Sequence, residues 1–158
     1  MKRIILLSMI AATVAFTSCK KEKKKIEIKS ASDAIVNQKH WNTITQQHEY
    51  FDESNTKVYE TTVNGGPKYL FNTNDSVRIT DTGLKVYKKY SFSVTNGKEF
   101  ISLVSNNSIE TYEVLSAALK TMTWQIQRTN VQYKDANNAD KVAAKEVLTI
   151  NFHCPCAD

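Results

Sequence analysis

The apolar residues of this chain recur at two spacings, and the change between them divides it. Tyr90, Phe92 and Val94 alternate with Lys89, Ser91, Ser93 and Thr95. Met122, Trp124 and Ile126 alternate with Thr121, Thr123, Gln125 and Gln127, while Leu148, Ile150 and Phe152 alternate with Thr149 and Asn151. A period of two marks a strand with one face buried and the other wet. Residues 30–38 instead fit a short helix, capped by Ser30 or Ser32, with Ala31, Ala34 and Ile35 on one face.

Turn signals separate the alternating runs: Asn64-Gly65-Gly66-Pro67, Asn74-Asp75, Asp81-Thr82-Gly83, Asn96-Gly97 and Asn106-Asn107. Asn96-Gly97 is the sharpest, because a two-residue type I′ turn needs φ > 0 at both positions. It predicts a hairpin of 84–95 with 98–104. The other strands are expected at about 41–51, 56–63, 68–72, 76–80, 109–115, 119–133 and 142–153. A polar loop over 134–140 joins the last two. Residues 139–146 carry a helical alternative, since Ala139, Val142, Ala143 and Glu146 fit i, i+3, i+4, i+7. Eight or nine short strands with tight turns predict an all-β domain, a sandwich or a barrel. Consecutive hairpins favour a small antiparallel up-and-down barrel behind a short N-terminal helix, because closure removes exposed edges.

The first 18 residues lie outside this pattern. Lys2 and Arg3 precede a mostly apolar stretch, residues 4–16, and Phe16-Thr17-Ser18-Cys19 follows. Charge order and length are those of a secretory signal, and the stretch is short for a membrane span. The small Ser18 before Cys19 makes this junction resemble the lipobox of bacterial lipoproteins. That resemblance implies cleavage before Cys19, lipidation of its sulfur and attachment to a membrane; several acyl chains hold firmly where one is marginal. The expected division is a signal peptide over 1–18, a lipidated Cys with a basic linker over 19–30, a barrel domain over 31–153 and a tail over 154–158.

Charge sharpens this division. The chain has 158 residues and a formal net charge of +5, with 41% hydrophobic and 23% charged residues. Residues 20–29 hold six Lys and two Glu, whereas from Ser30 onward 13 Lys and Arg face 14 Asp and Glu. The basic character therefore belongs to the N-terminus. Like charges extend a linker, and Lys beside an anchor are attracted to anionic headgroups by about 1 kcal/mol each. The folded region is almost neutral, which removes the electrostatic footprint of a nucleic-acid binder. Surface-exported Bacteroidetes lipoproteins resemble one another in acidic residues after the lipidated Cys. Lys20-Lys21-Glu22-Lys23 departs from that, and an outer-membrane location facing the periplasm is expected.

The body carries a second resemblance. Trp41 at the start of the first strand, Lys68-Tyr69-Leu70-Phe71 before a turn, residues 87–94, Ile109-Glu110-Thr111-Tyr112-Glu113-Val114-Leu115 and Met122-Thr123-Trp124 are similar in order to the lipocalin-like domains of Bacteroidetes lipoproteins. Lys39-His40 stands where true lipocalins have Gly-x before the Trp. The resemblance covers about 31–153 and implies a small barrel with an interior that takes a ligand.

No catalytic constellation is present: there is no Gly-x-Ser-x-Gly elbow, no Gly-rich phosphate loop and no His-Glu-x-x-His pair. The sequence implies no catalytic residue, no cofactor and no resident metal. His40 and His48 lie eight residues apart, on the order of 26 Å along a strand, too far to share an ion. His153-Cys154-Pro155-Cys156 suits soft-metal capture, a strained disulfide or a plain structural pair. Asp75-Ser76-Val77 resembles the acceptor pattern of Bacteroidetes O-glycosylation at Ser76, and equally reads as a turn entering a strand. Trp41, Tyr90, Phe92, Phe100, Trp124 and Phe152 are the candidates to line a pocket or to fill the core. The expected function is a membrane-anchored, non-catalytic module for a small apolar or amphipathic ligand. The alternative is an interaction lipoprotein with a filled core and an envelope protein as partner.

Overall fold

Among the described residues nine strands and one helix form where the two periodicities place them. The protein is described by a computed structural model over residues 30–155. The elements are α1 (Ala31–Gln38), β1 (His40–Phe51), β2 (Lys57–Asn64), β3 (Lys68–Phe71), β4 (Ser76–Asp81), β5 (Leu84–Thr95), β6 (Lys98–Ser105), β7 (Ser108–Ala117), β8 (Thr121–Lys134) and β9 (Asp140–His153). The helical alternative at 139–146 gives way to β9. Its register against β8 puts Glu146, Leu148, Ile150 and Phe152 on the buried face, which a helix could not do. Asn96 and Gly97 both take φ > 0, at 52° and 76°, and hold Thr95 opposite Lys98.

All pairings are antiparallel, and β1 closes the sheet by pairing with both β3 and β9. The result is an eight-stranded barrel with β2 outside the ring. Strands β2 and β3 run along one edge of β1, separated at Gly65-Gly66-Pro67. The break is locked to a bulge in β1: Gly65 N–H donates to Ile44 O, Gln46 Nε2 donates to Gly65 O, and Thr43 Oγ1 donates to Pro67 O at 2.6 Å. Gly66 has φ of 141° and lies so close to Gln46 that a Cβ would meet its Nε2 at 2.5 Å. Glycine is needed at that one point.

The interior is aromatic. Trp41 and Trp124 are fully buried, with Tyr69, Phe71, Tyr90, Tyr112 and Phe152 around them. Trp124 stands 4.7 Å from Phe152, 5.4 Å from Tyr112 and 5.5 Å from Tyr69, ring centre to ring centre, mostly in edge-to-face contact. Such contacts add to the area each ring buries.

Helix α1 covers one end of this core with Ala31, Ala34 and Ile35. Ser30 caps it by accepting from Asp33 N–H at 3.1 Å. Three further bonds fasten it: Ala31 N–H donates to the Glu99 carboxylate, Trp41 Nε1 donates to Ile35 O at 3.1 Å, and Cys154 Sγ donates to Gln38 Oε1 at 3.6 Å. No described helix is long and apolar enough to cross a membrane. The signal, Cys19, the basic linker and Cys156 lie outside the described residues.

Candidate functional site

The alternation that sends Trp124 inward also sends charges inward, at the end of the barrel away from α1. Lys88 continues the Tyr90–Phe92 face, Glu110 the Tyr112–Val114 face, Arg128 the Trp124–Ile126 face and Glu146 the Leu148–Ile150 face. The bulge at Ile44 shifts β1 by one residue, so Gln46, His48 and Tyr50 follow Trp41 and Thr43 inward. Five strands thus deliver polar groups to one mouth.

These groups form a connected network. Glu146, 2% exposed, accepts from His48 Nδ1 at 2.7 Å and from Arg128 at 3.3 Å. Arg128 lies 3.6 Å from Glu110, which also pairs with Lys88. Burial pushes the Tyr112 hydroxyl up to about 12, with the Glu110 charge adding to the shift. Burial raises Tyr69 strongly and Tyr50 less, and the Glu146 carboxylate beside Tyr50 adds to its shift. Tyr112 and Tyr50 therefore stay protonated as donors beside Glu110 and Glu146.

Above the network the β8–β9 hairpin, with Asn130 at φ 54°, brings Tyr133 over Tyr50 at 4.1 Å and Tyr59 at 5.5 Å, all three rings nearly parallel. The mouth is closed by side chains. Chemically, it offers orienting donors and carboxylates for a polar headgroup; among the described residues no nucleophile is placed on His48.

The residues anticipated from sequence fall into separate places. Trp41, Trp124 and Phe152 are deep core, Tyr90 is core at its edge, and Phe92 is half-buried against it. Tyr90 and Phe92 border a groove of about 360 Å³ beside Val36 and Asn37 of α1. Phe100 meets Phe92 at a separate groove beside Ser30, Ser32 and Glu99 and stays outside the core. The hairpin register pairs it with Ser93 and Glu113, out of phase with Ile101, so it lies on the outer wall.

His153 is exposed while Cys154 is buried beneath α1, so the pair points to opposite sides; among the described residues no group of three or more metal-ligating side chains converges. Ser76 is half-buried, donating to Asn74 Oδ1 at 2.5 Å and accepting from Asn72 Nδ2. His40 lies on the outer wall and His48 inside, so the two do not meet. Lys88, Glu110, Arg128 and Glu146 went unanticipated. Their signal was present as charges in phase with the buried aromatics at strand ends.

No protein-family model matches the chain, and no curated protein does. Among solved structures it is similar to a DUF4909 family protein from Staphylococcus aureus subsp. aureus Mu50, at 12% identity and a TM-score of 0.31, over 66% of this chain and 94% of that one.

Proposed function

We propose that this chain is a membrane-anchored bacterial lipoprotein of the Bacteroidetes type, exported by residues 1–18 and held through lipid on Cys19, with a non-catalytic barrel that acts in the cell envelope through its surface. The observation that carries the choice of surface over calyx is the filled interior. Trp41, Trp124 and Phe152 pack against Tyr69, Tyr112 and Ile35 where a ligand would lie. The Glu146 network occupies the other end. The absence of an acidic run after Cys19 supports a face turned to the periplasm from the outer membrane, with an envelope protein as partner.

Fractionation tests the anchor: Cys19→Ala should move the protein from the membrane to the soluble fraction, and persistence in the membrane overturns it. Native mass spectrometry of protein from its own host tests the filled barrel, which should carry no small molecule. A stoichiometric apolar ligand would overturn the surface reading.

A further inference from the structure

The outer wall of β1, β3, β4 and β5 carries a cluster of cations that the fold leaves without anions. Register places them. Thr80 has Lys68 opposite it on β3 and Lys85 opposite it on β5. Arg78, two residues along the same face of β4, stands between Leu70 and Tyr87. His40 pairs with Leu70 and Asn42 with Lys68, completing the edge. Neighbouring strands lie about 4.8 Å apart, so Lys68 and Lys85 flank the Thr80 hydroxyl from roughly 10 Å across. Their side chains line one groove of about 250 Å³ together with Arg78, His40 and Asn42.

Two features separate this groove from ordinary surface charge. Elsewhere on the domain Lys89 and Lys145 bond to Asn74 O and Asn55 Oδ1, Lys39 stands singly at the end of α1, and Lys57, Lys88, Lys98, Arg128, Lys134 and Lys141 each have a carboxylate within 4.0 Å. Among the described residues Lys68, Arg78 and Lys85 have none, and no Asp or Glu shares the outward face of β3 and β4 with them. Secondly, Arg78 Nε is buried with no hydrogen-bond partner. Among the described residues no acceptor holds this guanidinium, so turning it to an anion in the groove breaks no hydrogen bond of the fold. A guanidinium flanked by two ammonium groups, a hydroxyl and an amide is a donor set for the oxygens of a phosphate.

We propose that this groove binds the phosphate group of an anionic ligand, with Arg78 as the directional contact, Lys68 and Lys85 as flanking charges, and Thr80 and Asn42 as neutral donors. The site is on the outside of the barrel, so it needs neither a hollow interior nor the lipid anchor. Phosphate could reach it from a phospholipid headgroup or from a soluble phosphate ester, and the test separates these.

The mature chain, residues 19–158 with Cys19→Ala, is titrated with inorganic phosphate and observed by ¹⁵N–¹H NMR, beside the same chain with K68Q, R78Q and K85Q. Amide shifts are expected at 68–70, 78–80 and 85, and R78Q alone should weaken binding about tenfold or more, as loss of a charge-assisted hydrogen bond implies. Wild-type-like spectra and melting in the variants confirm that they fold. Co-sedimentation with phosphatidylcholine vesicles, with and without phosphatidylglycerol, is the second arm. The basic linker is identical in all chains, so only the groove differs. Vesicle binding that falls in the triple variant assigns the site to lipid headgroups. Phosphate shifts lost in the triple variant, with vesicle binding unchanged, assign it to a soluble phosphate ester. No saturable shift at the groove, or the same shifts in the triple variant, overturns the proposal.

Discussion

Removing the Glu146 carboxylate tests whether the polar network is what closes the mouth. The residue is 2% exposed and serves His48 at 2.7 Å and Arg128 at 3.3 Å. Breaking a fully buried ion pair by deleting one partner costs about 3–5 kcal/mol, because the other charge is stranded. Here the stranded partners reach water: the side chains of His48 and Arg128 are 20% and 38% exposed, and Arg128 keeps Glu110 at 3.6 Å. The expected cost of Glu146→Ala is therefore lower, about 2–3 kcal/mol. For a domain of this size that corresponds to a melting temperature lower by about 6–15 °C. Glu146→Gln keeps the shape and one acceptor oxygen and should cost about 1 kcal/mol. Urea denaturation of Glu146→Ala, His48→Ala and the double variant measures the coupling directly, and the pair should couple by about 1 kcal/mol or more. Single variants within 0.5 kcal/mol of wild type, or zero coupling, would refute the argument that this network is structural.

Three further outcomes are expected. Tyr112 is raised to about 12 by burial, so its folded state binds a proton that its unfolded state releases near 10. The stability this gives is complete below pH 10 and is lost as pH rises through 12; about 1.4 kcal/mol should be gone at pH 11. In Tyr112→Phe the fall measured by chemical denaturation between pH 10 and 11 should shrink by about 1 kcal/mol, since about 0.4 kcal/mol is already lost at pH 10, and an unchanged slope counts against burial as its cause. Gly66→Ala combines a positive φ with contact on Gln46, and a loss of about 2 kcal/mol is expected in the same assay. Trp124→Ala empties the middle of the aromatic core and should cost about 3–5 kcal/mol; a cost below 1 kcal/mol would mean that the barrel is not filled there.

The strands were legible in the sequence because each element obeys a local rule that the fold does not override. The Asn96-Gly97 turn, the Ser30 cap and the alternation at 122–126 and 148–152 all act over a few residues. What escaped needs more than one strand to be seen. Phe100 looks like its neighbours Phe92 and Trp124 until the hairpin register turns it outward. The Ile44 bulge is invisible in a sequence of alternating polar residues, yet it decides that His48 rather than Glu49 faces Glu146. The network itself joins residues 98 positions apart, and no spacing rule spans that distance. The mouth could have been suspected only from charges falling in phase with buried aromatics.

Charge shows the same contrast between what is local and what depends on the fold. From Ser30 onward the chain sums almost to zero, a total that argues against any anionic partner. The barrel divides that total unevenly. Glu110 and Glu146 are turned inward, where they hold Lys88, Arg128 and His48. Glu99 is turned toward the lid, where it holds the first turn of α1. On the outward face of β3 and β4 no carboxylate remains to accompany Lys68 and Arg78. Exposed charges are screened within about 8–10 Å in physiological salt, so what an approaching anion meets is the local set and not the sum. The packing that uses carboxylates inside the barrel is thus what leaves a positive groove outside it.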